Sequence, residues 1–178
     1  GRHNVMTSTA MPGPIPHRFL VYGPARVRRR YGRLRIAHPE FFTLRGRTTG
    51  VVDYPEEEAL FWMRLWARTD PEGFLRRPQV TALEPYSGPE DAPLLFVLQG
   101  ILVTRGEVPR VRVVPRGRWK RGRRVGPRWF TIRFLLKDPL APQPIPGSTV
   151  QVAGTVKRGR LVGRFTAWWP PEGRALEG

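Results

Sequence analysis

A chain of 178 residues with 40% hydrophobic and 11% aromatic content can build one domain or two small ones, which excludes wholesale disorder. It holds no cysteine, so disulfides, thiol nucleophiles and cysteine-ligated zinc are excluded. A formal net charge of +17 opposes a compact state by self-repulsion and points to a polyanionic partner, with nucleic acid the leading candidate.

Residues 1–16 (GRHNVMTSTAMPGPIP) lack an apolar signal core and read as a mobile tail. No run of about 20 apolar residues follows anywhere, so no membrane-spanning helix is predicted and a cytoplasmic location is expected. Residues 18–22 read as a strand, and 25–31 with 33–37 flank Gly32 like a hairpin. Residues 41–52 and 79–83 are further strand candidates. Between them lies DYPEEEALFWMRLWART, residues 53–69, which carries two signals. Pro55 followed by Glu56, Glu57 and Glu58 suits a helix start. Yet Phe61, Met63, Leu65 and Ala67 alternate with Trp62, Arg64, Trp66 and Arg68, and this alternation favours a strand from about Leu60.

The proline-rich stretch at 84–93 (EPYSGPEDAP) is a boundary between a module at 17–90 and a second at 91–171, with a short tail at 172–178. In the second module, 94–105 is a long apolar strand with Gly100 inside it, the mark of a bulge or a coiled strand. RVRVV at 110–114 alternates arginine with valine. WFTIRFLL at 129–136 sets Phe130, Ile132, Phe134 and Leu136 inward and Trp129, Thr131 and Arg133 outward. A second proline-rich stretch, 138–147, links this strand to a hairpin of 149–157 and 160–169, turned at Arg158-Gly159.

Residues 115–130, PRGRWKRGRRVGPRWF, carry positive charges at Arg116, Arg118, Lys120, Arg121, Arg123, Arg124 and Arg128, with no acid among them. Trp119 and Trp129 interrupt the run. Glycines and like charges predict an open loop that orders only on an anion. Arginine dominates, with lysine only at Lys120, Lys137 and Lys157. Its planar fork takes phosphates and stacks on bases. Asn4 is the only asparagine and prolines number 20, a thermophile-like composition.

The strand rhythm from Leu94 onward, with GSTVQVAGTVKRGRLVGRF near its end, resembles the OB-fold of bacterial single-stranded-DNA-binding proteins. That resemblance implies a mainly β chain with an OB-like five-stranded barrel in the C-terminal half. The N-terminal half would be a second β-rich module or a second OB-like barrel. It departs from the family where a proline-rich stretch replaces the helix between strands three and four. By the resemblance, the loop at 115–128 and the turn Lys157-Arg158-Gly159-Arg160 flank a binding groove. Arg133, Arg164 and Trp168 join them on the outward side, and Trp169 is read as core.

The expected function is therefore binding of single-stranded nucleic acid, DNA before RNA, by a basic groove with stacking tryptophans and weak sequence preference. An RNA- or duplex-binding, ribosome-associated module is the alternative. A metal-dependent nuclease using Asp53 and Glu56 to Glu58 is less favoured. No cofactor, resident metal or enzymatic activity is expected, and a homodimer is compatible with the composition.

Overall fold

The computed structural model describes residues 6–7, 15–30, 33–47, 55–126 and 128–171. These residues are mainly β, with no helix among them. Hence no described helix is long and apolar enough to cross a membrane. After the short β1 (Met6–Thr7), the first half comprises β2 (Arg18–Arg30), β3 (Arg33–His38), β4 (Phe41–Arg47), β5 (Ala59–Thr69) and β6 (Leu75–Pro85). The second half comprises β7 (Leu95–Thr104), β8 (Arg110–Val113), β9 (Arg118–Lys120), β10 (Arg123–Val125), β11 (Phe130–Arg133), β12 (Leu135–Leu136), β13 (Thr149–Lys157) and β14 (Arg160–Trp169).

Alternation of side chains accounts for most of these strands. In β5, Met63, Leu65 and Ala67 are buried while Arg64 and Trp66 face outward. The segment that could have been a helix is a strand, because only period two buries that set together. In β14, Leu161, Phe165, Ala167 and Trp169 are buried, as their alternation predicts. Trp169 keeps only 4% of its surface exposed.

Twelve strands form one sheet, nine along the path β1-β14-β13-β7-β2-β3-β4-β6-β5 with β8, β11 and β12 branching from it, and β9 with β10 forms a separate ribbon. Taken whole, the sheet is open. This corrects the expected self-contained closed barrel over 94–169: β7 carries the pairing out of that range, Arg18 to Tyr22 of β2 lying antiparallel to Gln99 to Leu95. The sheet thus continues across the proline-rich joint at 84–93. Glu90 in that joint accepts hydrogen bonds from Arg26 Nε and Nη2, the latter at 3.0 Å, and ties it to β2.

Two further corrections concern β2 and the tail. The stretch expected as two strands is one of 13 residues, running through Gly23 and Pro24. A side chain at Gly23, where φ is +144°, would approach Leu94 Cδ2 to 2.9 Å, so the glycine lets β2 pass the start of the second half. In the expected mobile tail, Met6 and Thr7 pair in parallel with Ala167 and Trp168. Residues 1–5, 8–14 and the expected tail at 172–178 lie outside the described residues.

One order of pairing occurs in both halves. A long first strand pairs with the second and fourth, β2 with β3 and β5, and β7 with β8 and β13. The second pairs with the third, β3 with β4 and β8 with β11. The fourth pairs with the fifth, β5 with β6 and β13 with β14. The third region lies parallel to the fifth, β4 beside β6 and β12 beside β14. A continuous apolar core fills both halves. Phe19 meets Phe96 edge-on at 6.4 Å between centroids, Phe96 meets Phe134 at 6.4 Å, and Phe134 meets Phe165 at 5.5 Å.

Candidate nucleic-acid interface

The basic stretch after β8 is a hairpin. Lys120 pairs with Arg123, Trp119 with Arg124 and Arg118 with Val125. Arg121 and Gly122 make the turn with φ of 53° and 72°. Left-handed backbone at both central positions is what a two-residue hairpin needs, and glycine takes it without strain. This corrects the expectation of a loop with no reason to fold back on itself. Its backbone ladder and turn chemistry outweigh the repulsion between charges that water screens on an exposed ribbon. The side chains of Arg118, Trp119 and Arg124 lie outside what the structure describes. Arg116, Lys120, Arg121, Arg123 and Arg128 are exposed, and none pairs with a carboxylate among the described residues.

The base of this hairpin is pinned. Val114 N–H donates to His17 Nδ1 at 3.0 Å. Partial burial pushes the His17 pKa below its ordinary value, which keeps that nitrogen a neutral acceptor.

Beside the hairpin, β8 and β11 present a cationic surface. Val111, Val113 and Ile132 point into the core, so their neighbours in sequence face out. Register sets Arg110 opposite Arg133 and Arg112 opposite Thr131. At the head of β11, Trp129 is 57% exposed, and the Arg112 guanidinium stands 5.1 Å from its ring centre. The first half packs against the other side of β11. Arg68 of β5 stacks 3.6 Å above the Phe130 ring, and Thr69 Oγ1 accepts a 2.9 Å hydrogen bond from Arg133 N–H. Burial first, and the neighbouring Arg77 charge second, disfavour the positive charge on Arg68. Chemically this is a field of guanidinium forks around an exposed aromatic face. It suits phosphates and stacked bases.

Arg68, Arg110 and Arg112 were missed in the sequence. The signal for the last two was present: in RVRVV the valines mark the core face, so the arginines must share the other.

The remaining predicted residues lie on β13 and β14 or at the turn between them. The turn Lys157-Arg158-Gly159-Arg160 is braced against the first half. Glu40 accepts from Arg158 N–H through its carboxylate at 3.3 Å and from Gly159 N–H through its carbonyl at 2.6 Å. Arg160 Nε donates to the Glu72 carbonyl at 2.7 Å, and its guanidinium lies 5.3 Å from the Phe74 ring centre. Lys157 and Arg158 stay exposed. Arg164, with Lys137 and Tyr22, lines a shallow cleft of about 330 Å³ whose floor is Ala153, Gly154 and Gly163. Trp168 is half-buried and meets Phe165 edge-on at 6.3 Å. The hairpin, Trp129 and Arg133 thus belong to β8, β11 and the ribbon between them, and the turn, Arg164 and Trp168 to β13 and β14; Gly73 lies between, beside the Arg133 carbonyl and accepting from Leu161 N–H at 3.0 Å.

His38 is buried; its Nδ1 accepts from Glu40 N–H at 3.0 Å, so its Nε2 donates to the Ala92 carbonyl at 2.8 Å. Glu56, Glu57 and Glu58 are exposed before β5, and Asp53 lies outside the described residues. Among the described residues no cluster of acids and histidines could hold a metal ion. Comparison with protein-family models, curated proteins and solved structures finds no match.

Proposed function

We propose that the protein binds single-stranded nucleic acid across the outer face of β8 and β11, with the β9–β10 hairpin as a cationic wall. The observation that carries this reading is Trp129, an exposed ring flanked by Arg112 and by cations without acidic partners. A large aromatic ring left in water has no role in the core. Beside unpaired arginines it is a platform for a base while the guanidiniums take the flanking phosphates.

We further infer that each half is an OB-like unit, joined to the other through its first strand. The shared order of pairing supports this, above all the parallel meeting of third and fifth strands in each half. In such a unit, strands two and three form a binding face, and here those strands are β8 and β11.

Competition among single-stranded DNA, single-stranded RNA and duplex of matched sequence tests the function. Preference for single strands is expected. Tighter binding of duplex would move the assignment to a duplex- or RNA-binding module.

A further inference from the structure

We infer that β2, β3 and β4 carry a second phosphate-binding face, distinct from the hairpin face, which takes the backbone of a nucleic-acid strand. Register sets Arg28 opposite Arg35, and Arg35 opposite Arg45. Two residues along, it sets Arg30 opposite Arg33, and Arg33 opposite Arg47. Two rows of three arginines thus cross three strands, with no acid in either row. Like charges directly opposite one another destabilise a sheet, so this placement opposes folding.

The described side chains agree. Arg33 and Arg35 are exposed, and neither has a carboxylate partner among the described residues. Arg28 is half-buried, and its Nε is shut away from solvent with no hydrogen-bond partner. A buried donor left unsatisfied is costly, and it waits for an acceptor. Nearby Arg26 makes the contrast: on the same strand it is held by both oxygens of Glu90. A solvated face would mix signs, as that pair does. These rows do not.

The geometry selects the partner. Neighbouring strands stand about 4.8 Å apart, and alternate residues along a strand about 6.7 Å apart. At those spacings, rows made of arginine alone suit a line of single phosphates that each accept two hydrogen bonds. The same place in the pairing order of the second half holds Arg110 opposite Arg133. Two matching faces on one chain would bind a long strand with avidity that neither has alone. This goes beyond the hairpin-face reading and can stand or fall separately.

Three proteins and one probe, oligothymidylate titrated across a salt series, test it: wild type, a variant with Arg28→Gln, Arg33→Gln and Arg35→Gln, and a variant with Arg110→Gln, Arg112→Gln and Arg133→Gln. Each lost phosphate contact reduces the slope of log affinity against log salt by about 0.7, so the first variant should be shallower than wild type by about 2. Its melting temperature should be equal or higher, because like-charge pairs are removed. If Arg28→Gln impairs folding, Arg33→Gln with Arg35→Gln alone should give a change of about 1.4. A wild-type slope in the first variant, with a shallower one in the second, overturns this inference and leaves the hairpin-face reading standing. The reverse pattern supports the inference and overturns that reading. No binding by wild type, or wild-type slopes in both variants, contradicts both.

Discussion

The guanidinium of Arg112 stands 5.1 Å from the centre of the Trp129 ring, at the point where the basic hairpin rejoins the sheet. The two residues come from opposite sides of the hairpin, so closing it brings them together. An exposed cation–π contact of this kind contributes only about 0.5–1 kcal/mol. Its consequence is positional: it holds the ring face in water beside unpaired cations.

Trp129→Ala should weaken oligonucleotide binding about tenfold or more, since stacking of a base contributes about 1–3 kcal/mol. Thermal stability should barely move, because the ring is 57% exposed. Paired affinity and melting measurements check this. Unfolding, or unchanged affinity, would remove Trp129 from the site.

Trp169→Ala should do the reverse. That ring is 4% exposed, and truncating a buried tryptophan costs about 3–5 kcal/mol. Chemical denaturation should show the loss, with affinity preserved in the fraction that remains folded.

Gly100 links the core to the site. A Cβ there would sit 2.2 Å from the Arg112 carbonyl oxygen, so β8 packs where only glycine allows it. Gly100→Ala should destabilise by about 1–3 kcal/mol or more as the strands are forced apart. It should also weaken binding, because Arg112 moves with its strand. Loss of stability with unchanged affinity would show that Arg112 does not contact the strand.

Acid should loosen the base of the hairpin. Burial holds the His17 pKa below its ordinary value of 6.5, so the unfolded chain takes up this proton before the folded one does. The contribution is therefore present above about pH 6.5 and is lost as pH falls from there through the depressed value. Protonation of Nδ1 also removes the acceptor for Val114 N–H. The protection factor of the Val114 amide, its exchange rate taken relative to the intrinsic rate at each pH, should fall over that window. An amide equally protected at pH 5 and pH 7 would contradict it.

Strands with clean alternation were legible in the sequence, and β13 with β14 falls at the expected bounds. Period two also decided β5 against the helix signals of Pro55 and the three glutamates. What failed depended on distant partners. Gly23-Pro24 is locally a strand break, yet β2 runs through it because Leu94 needs the space of a missing side chain. The turn at Arg158-Gly159 forms as read, but Glu40 braces it, and no local pattern announces that approach. The hairpin at 118–125 was hidden by its charge, although Arg121-Gly122 is a fair turn sequence. Trp129 and Arg133 were found because they alternate with core residues. Arg68 was not, since only the meeting of β5 with β11 brings it to the Phe130 ring.

The most direct test of the central claim is the salt dependence of single-strand binding by the wild-type protein. Neutralising about four to six phosphates should give a slope of log affinity against log salt of about −3 to −4. A flat dependence would show that the unpaired arginines around Trp129 are not the contact surface, and would contradict the account.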